Sequence, residues 1–135
     1  MVEAQARAVL DALGADAVKT GMLGDVEMVE RVAAILDTVR VPVVVDPVMV
    51  AKGGSNLLAP NAVDAVRALM IPRATVLTPN APEAEALSGL PVHTTDDLRR
   101  AGERLLTLGA QAVLMKGGHV EGDTVIDVLM TPDGE

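Results

Sequence analysis

The fold this sequence predicts is a three-layer α/β/α sandwich on a mostly parallel sheet, and three observations carry it. Strand-like and helix-like segments alternate four times along residues 2–115, a pattern that calls for parallel strands joined by right-handed helical crossovers. The run Val41-Pro-Val-Val-Val45 shows no alternation toward polar residues, as expected of a strand buried on both faces. Polar or glycine-rich residues stand at four strand exits, 20–24, 46–54, 78–83 and 116–119. In doubly wound sheets such exits converge on one ligand-binding crevice.

The elements follow in order. Val2, Ala6, Val9, Leu10 and Leu13 form one apolar stripe ended by Gly14, which predicts a helix over 2–13. Residues 16–19 read as a short strand, followed by the glycine-bounded loop Thr20-Gly-Met-Leu-Gly24. Asp25 stands where an N-cap belongs, ahead of a helix that turns Val29, Val32, Ala33 and Leu36 inward. After the strand 41–45, a loop over 46–59 holds Lys52, Gly53, Gly54, Ser55 and Asn56 without periodicity, and loops of this length in compact domains often act as lids. A helix from 60 or 61 to 70 leads to a strand over 74–77. Thr78-Pro-Asn-Ala-Pro-Glu83 then bridges to a helix running through Leu87. Thr94 and Thr95 open a further helix with the stripe Leu98, Ala101, Leu105 and Leu108, closed by Gly109. The strand 111–115 exits into Lys116-Gly-Gly-His119. Residues 123–130, rich in Val and Ile after a turn at Glu121-Gly-Asp123, read as an antiparallel strand. There is no internal repeat, low-complexity tract or linker, so one domain is expected.

Composition narrows the function. Eleven basic and nineteen acidic residues leave a net charge of −8, which repels nucleic acid and gives no purchase on an anionic membrane. Without cysteine there is no disulfide, thiolate metal site or cysteine nucleophile. No signal peptide or membrane-spanning run is visible, and a cytoplasmic protein is the expectation. Half the chain is hydrophobic, yet none of it is aromatic. The core is therefore Val, Leu, Ile, Ala and Met, and a flat heterocycle would have to be held by aliphatic side chains or by parts of another chain.

The chemistry gathers at the strand exits. Asp46 ends the valine strand, where Pro47 forces the chain out of the sheet. Asp46 and Glu83 would place two carboxylates on one edge, and Mg²⁺ is commonly held by one or two carboxylates, waters and substrate phosphates. Glu83 equally suits a helix first turn and Asn80 an N-cap. Lys116 follows four apolar residues and precedes Gly117 and Gly118, a place where backbone approaches a ligand closely and an ammonium meets a phosphate. His119 either contacts a nucleotide or fills the turn. No Gly-x-x-x-x-Gly-Lys or Gly-x-Gly-x-x-Gly cradle is present.

Four motifs in order, Val18-Lys-Thr-Gly-Met-Leu-Gly24, Val45-Asp-Pro-Val-Met-Val-Ala-Lys-Gly-Gly54, Leu77-Thr-Pro-Asn-Ala-Pro-Glu-Ala-Glu85 and Met115-Lys-Gly-Gly-His119, closely resemble the hydroxymethylpyrimidine and phosphomethylpyrimidine kinases of thiamine biosynthesis, within the ribokinase-like superfamily. The resemblance implies ATP-dependent, Mg²⁺-requiring phosphorylation of 4-amino-5-hydroxymethyl-2-methylpyrimidine and then of its monophosphate, and suggests a homodimer. It assigns Asn80 and Glu83 to an Asn-x-x-Glu motif organising Mg²⁺ and phosphate, Asp46 to the metal region, and Lys116 with Gly117 and His119 to the nucleotide. It places Met22 and Val48 in the pyrimidine pocket and Lys52, Gly53 and Gly54 in a flap. Two family segments have no counterpart here: an N-terminal strand with a Gly/Ser-rich loop, and a Gly-Thr-Gly-Cys or Gly-Thr-Gly-Asp anion-hole loop that carries the catalytic residue. The expectation is thus the middle of a kinase domain, truncated at both ends, with no catalytic residue of its own and inactive in isolation. Pyridoxal kinase, or a non-catalytic fragment that binds nucleotide or a partner, are the alternatives.

Overall fold

The structure, a computed structural model, describes residues 1–51 and 53–135. Helix α1 spans Val2–Leu13, strand β1 Val18–Thr20, α2 Val26–Leu36, β2 Val43–Val45 and α3 Ala62–Ala65, followed by β3 Val76–Leu77, α4 Ala81–Ser88, α5 Thr95–Thr107, β4 Ala112–Met115 and β5 Val128–Met130. The sheet runs β1-β2-β3-β4-β5, with the first four strands parallel and β5 antiparallel to β4. The α/β class, the mostly parallel sheet and the antiparallel last strand are as the sequence implies.

Each parallel strand is laid beside the one before it. Right-handed crossovers that always advance in one direction set their helices on a single face. Burial follows that geometry: Thr20, Val45, Leu77, Val113 and Met130 stand in register and are all buried. On the opposite face Val44, Val76, Ala112 and Leu114 are half-buried and Leu129 is exposed. The reading of residues 41–45 as buried on both faces is corrected accordingly, because the described residues supply one helical layer and Val44 faces away from it.

The buried side is aliphatic but for Thr20. Met70, Ile71, Leu77, Leu87, Leu98, Leu105 and Met115 are its largest fully enclosed side chains. Helix α1 is the exception among the helices: its apolar stripe is present, but none of its residues is buried, and Val2, Val9 and Leu13 face solvent. No helix among the described residues is long and apolar enough to cross a membrane.

Two expected elements are modified. The helix expected to reach Met70 does so, but after Ala65 it widens into a π turn over Val66–Met70, in which the Ile71 amide donates to the Val66 carbonyl, and then tightens to a 3₁₀ turn over Ile71–Arg73. Pro72 lacks the amide that would continue an α-helical ladder. The strand expected over 123–130 shrinks to Val128–Met130, and just ahead of it the Asp127 side chain accepts from the Gly117 amide at 2.9 Å.

Helix caps are those the sequence marks. Asp25 accepts from the Met28 amide, and Thr94 and Asp97 form a reciprocal capping box at α5. The His93 and Thr94 amides donate to Asp97 and hold its carboxyl at about 2 instead of its ordinary 3.8. A depressed carboxyl stabilises the fold above the ordinary carboxylate range, and that contribution is lost as pH falls toward 2. Replacing Thr94 with Ala removes the acceptor of the Asp97 amide and is expected to cost about 1 kcal/mol in urea unfolding; a variant with an unchanged midpoint would show that the cap is not needed.

Candidate active site

The site forms where β2, β3 and β4 end. The Asp46 amide donates to the Thr20 carbonyl at 3.0 Å, which carries the ladder one residue past β2 before Pro47 turns the chain away. Lys19 is in register with Val44, so Asp46, two residues further on, projects on the same side of the sheet as Lys19. Past β3 and β4, Asn80 and Lys116 continue as a parallel bridge, and the Lys116 amide donates to the Pro79 carbonyl at 2.9 Å. Three strand ends are thereby fixed side by side by backbone hydrogen bonds.

The side chains of two of these ends meet. Lys116 Nζ lies 3.5 Å from Asp46 Oδ1, although the two residues are 70 apart in sequence. Asn80 Oδ1 accepts from the Glu83 amide, and Glu83 Oε2 accepts from the Asn80 amide, each at 2.9 Å. This capping box holds the Glu83 carboxylate at the first turn of α4, where only 6% of the residue is exposed. Burial pushes the Glu83 carboxyl up; the Asn80 amide and the Lys116 charge pull it back, and the Asp46 charge adds to the rise. Net, it sits above its ordinary value, as for a buried anion short of positive charge. Asp46, Glu83 and Lys116 therefore share one electrostatic neighbourhood.

Beside them lies an open hollow of about 560 Å³ lined by Met49, Val50, Ala51, Asn80, Glu83 and His119, among others. Exposed His119 is on its wall. The segment after Asp46 folds into a small hairpin, with Val50 bridged to Asn56 and the Ala51 amide donating to the Ser55 carbonyl. Gly53 and Gly54 form its exposed tip, Gly54 at φ 85°, where a side chain is strained. Lys52, assigned to the same flap, lies outside the described residues.

The remaining candidates divide. Val48 shares a small cleft with Gly21, Leu23 and Asp46. Met22 does not join it, being 60% exposed. The Gly117 amide is already engaged by Asp127, so Gly117 offers no free donor. Sequence reasoning passed over Lys19, whose Nζ lies 3.9 Å from Asp46 Oδ2; it read simply as a strand residue. The buried Thr20 hydroxyl, without a hydrogen-bond partner among the described residues, was also missed.

The donor set fits a hard divalent cation. Among the described residues no group of three or more His, Cys, Asp or Glu side chains could hold a metal, so a cation would rest on two carboxylates plus oxygens from water and ligand. Mg²⁺ accepts that arrangement.

Comparison with known proteins identifies the family. The family model described as phosphomethylpyrimidine kinase matches residues 1–135. The chain is 46% identical over 127 residues to the hydroxymethylpyrimidine/phosphomethylpyrimidine kinase of Bacillus subtilis, a match covering 93% of this chain and 47% of that protein. The crystal structure of phosphomethylpyrimidine kinase from Clostridium difficile superimposes with a TM-score of 0.88 at 39% identity, over 98% of this chain and 57% of the other. An ADP complex of Bacillus subtilis pyridoxal kinase gives 0.87 at 40% identity, over 96% of this chain and 50% of the other. The chain spans about half the length of the curated relatives it matches.

Proposed function

Because the chain belongs to the phosphomethylpyrimidine kinase family, we propose that its strand-end site binds Mg·ATP and serves phosphoryl transfer to 4-amino-5-hydroxymethyl-2-methylpyrimidine and to its monophosphate, in thiamine diphosphate biosynthesis. The observation that carries this reading is the contact of Lys116 with Asp46 at the strand ends, with the capped Glu83 carboxylate near enough to feel both charges.

Phosphoryl transfer asks a protein for position and charge more than for covalent chemistry. Asp46 and Glu83 would hold Mg²⁺, which when bound draws off charge from the phosphate oxygens. Lys116 sets an ammonium against those oxygens, and the Asn80–Glu83 box fixes the carboxylate that would otherwise swing away. His119 borders the nucleotide side. Val48, beside Asp46, supplies aliphatic contact with the pyrimidine, and the Val50–Asn56 hairpin closes over the reacting groups to exclude water. In each reaction the bond from the γ-phosphorus to the β,γ-bridging oxygen breaks. A new bond forms to the hydroxymethyl oxygen, with loss of its proton, or to an oxygen of the monophosphate.

The 135 residues contain no Gly-Thr-Gly and no cysteine. We therefore expect Mg·ADP binding by this polypeptide, with turnover slower by about a hundredfold or more than in a chain that carries preorganised oxyanion donors. Isothermal titration with ADP, with and without Mg²⁺, tests the site; a coupled ADP-release assay tests turnover. Absence of Mg²⁺-dependent ADP binding would remove the kinase reading. A pyridoxal kinase is the second reading, favoured by the 0.87 superposition, and binding of pyridoxal in preference to the pyrimidine would select it. The same reading includes a homodimer, which sedimentation at several concentrations tests.

A further inference from the structure

The antiparallel ladder of β4 and β5 ends where Met115 faces Val128. Carried one step further, that register sets Lys116 opposite Asp127 and Gly117 opposite Ile126. At this step a side chain takes over from the backbone: the Gly117 amide donates to Asp127 Oδ1 at 2.9 Å. The Gly117 carbonyl in turn accepts from the Val120 amide at 3.0 Å, so both backbone groups of Gly117 are engaged. Gly117 is buried and Asp127 exposed. An exposed carboxylate thus reaches in to hold a buried amide.

We propose that Asp127 is a positioning residue of this site, whose carboxylate, by holding the Gly117 amide, sets the direction in which Lys116 leaves the backbone toward a bound nucleotide. The inference rests on the kinase reading above. Two planar peptide units meet at the Lys116 Cα. The one before it is held by the Lys116 amide, which donates to the Pro79 carbonyl at 2.9 Å. The one after it carries the Gly117 amide, and Asp127 holds that. With both units held, φ and ψ of Lys116 are set and so is its Cα–Cβ bond; the ammonium, 3.5 Å from Asp46 Oδ1, has only its side-chain torsions left. Without Asp127 the second unit turns freely, and the ammonium turns with it.

The residue type fits this task better than it fits a strand. Asp is depleted in strands, and in a chain of net charge −8 a further carboxylate one step from Lys116 works against binding an anion. What it supplies is a strong acceptor: a hydrogen bond from an amide to a carboxylate is about twice as strong as one between neutral groups.

The test is titration calorimetry with Mg·ADP on the 135-residue chain. Asp127→Ala is expected to weaken binding about tenfold, the scale of one hydrogen bond to a charged group. Asp127→Asn, whose amide oxygen still accepts from Gly117, should recover most of that loss. In a Lys116→Met background the Asp127→Ala change should cost little, because a residue that acts through Lys116 then has nothing to position. Equal losses with and without Lys116 overturn the proposal, as does an Asp127→Ala variant that binds as tightly as wild type. Amide NMR spectra of the free proteins give a second reading: Asp127→Ala should move the signals of residues 116–119 and leave those of β1, β2 and β3 in place. Changes spread over the whole spectrum would make Asp127 a general stabilising residue and also overturn the proposal. A wild-type chain that binds no Mg·ADP refutes the kinase reading itself, and this inference falls with it.

Discussion

Alanine at Gly117 is expected to destabilise the protein by about 3 kcal/mol, the upper end for overpacking a close contact, and to weaken Mg·ADP binding with it. Gly117 is buried, and a Cβ added there would fall on the Ile126 carbonyl oxygen, 2.8 Å from its carbon and 3.2 Å from the Ile126 amide nitrogen. These are backbone atoms, so no rotamer change relieves the clash. Room appears only if the segment between Gly118 and Asp127 lifts, which breaks the hydrogen bond from the Gly117 amide to Asp127. Lys116 is the next residue back, so the same movement displaces its ammonium from Asp46. Gly118 supplies the control, because a Cβ there meets nothing within 4 Å. Its alanine variant should fall within about 0.5 kcal/mol of wild type. Urea unfolding of both variants decides the point, and equal midpoints would show that the segment yields freely.

That clasp also shows where the sequence stops being readable. The alternation of strands and helices, the caps at Asp25, Asn80 and Thr94 and the closing glycines are local signals, and each is in its place. The shortened last strand is not local. Residues 123–127 read as strand by their Val and Ile content, but the Asp127 side chain is claimed by an amide ten residues earlier, and only the folded chain brings the two together. Val44 failed for a related reason: an apolar run says that a residue can be buried, not that a helix arrives to bury it. Lys19 went unread because strand periodicity does not tell which strands are neighbours. Once β1 pairs with β2, a lysine one residue short of the strand end faces the rim that holds Asp46. Met22 entered through the family resemblance alone, and it is exposed. Asn80 and Glu83 were open to two readings, helix cap and metal-phosphate motif. The structure shows the cap, and the metal-phosphate role we propose would use the carboxylate that the cap holds in place.

Separating those two roles is the purpose of Glu83→Gln. Glutamine still accepts the Asn80 amide, as capping boxes allow, so a residue that serves only as a cap would tolerate the change in every assay. The carboxyl of Glu83 is raised above its ordinary 4.5, chiefly by burial. A group raised in the folded state contributes stability below its unfolded-state value and loses that contribution as pH climbs through the folded-state value. Wild type and variant should accordingly unfold alike below the ordinary carboxylate range, with the variant gaining on wild type as pH rises toward neutrality. Mg·ADP should reverse the order. A ligand that binds only the folded state stabilises it by mass action, and wild type should gain the larger shift in thermal midpoint. The variant, lacking one of two carboxylates for the cation, should lose about 10- to 100-fold in affinity, at least the loss seen when a group one shell out from a metal is removed. Thermal unfolding at low and neutral pH, with and without Mg·ADP, reads both effects in one experiment. A variant equal to wild type in its response to Mg·ADP would leave Glu83 a helix cap and nothing more.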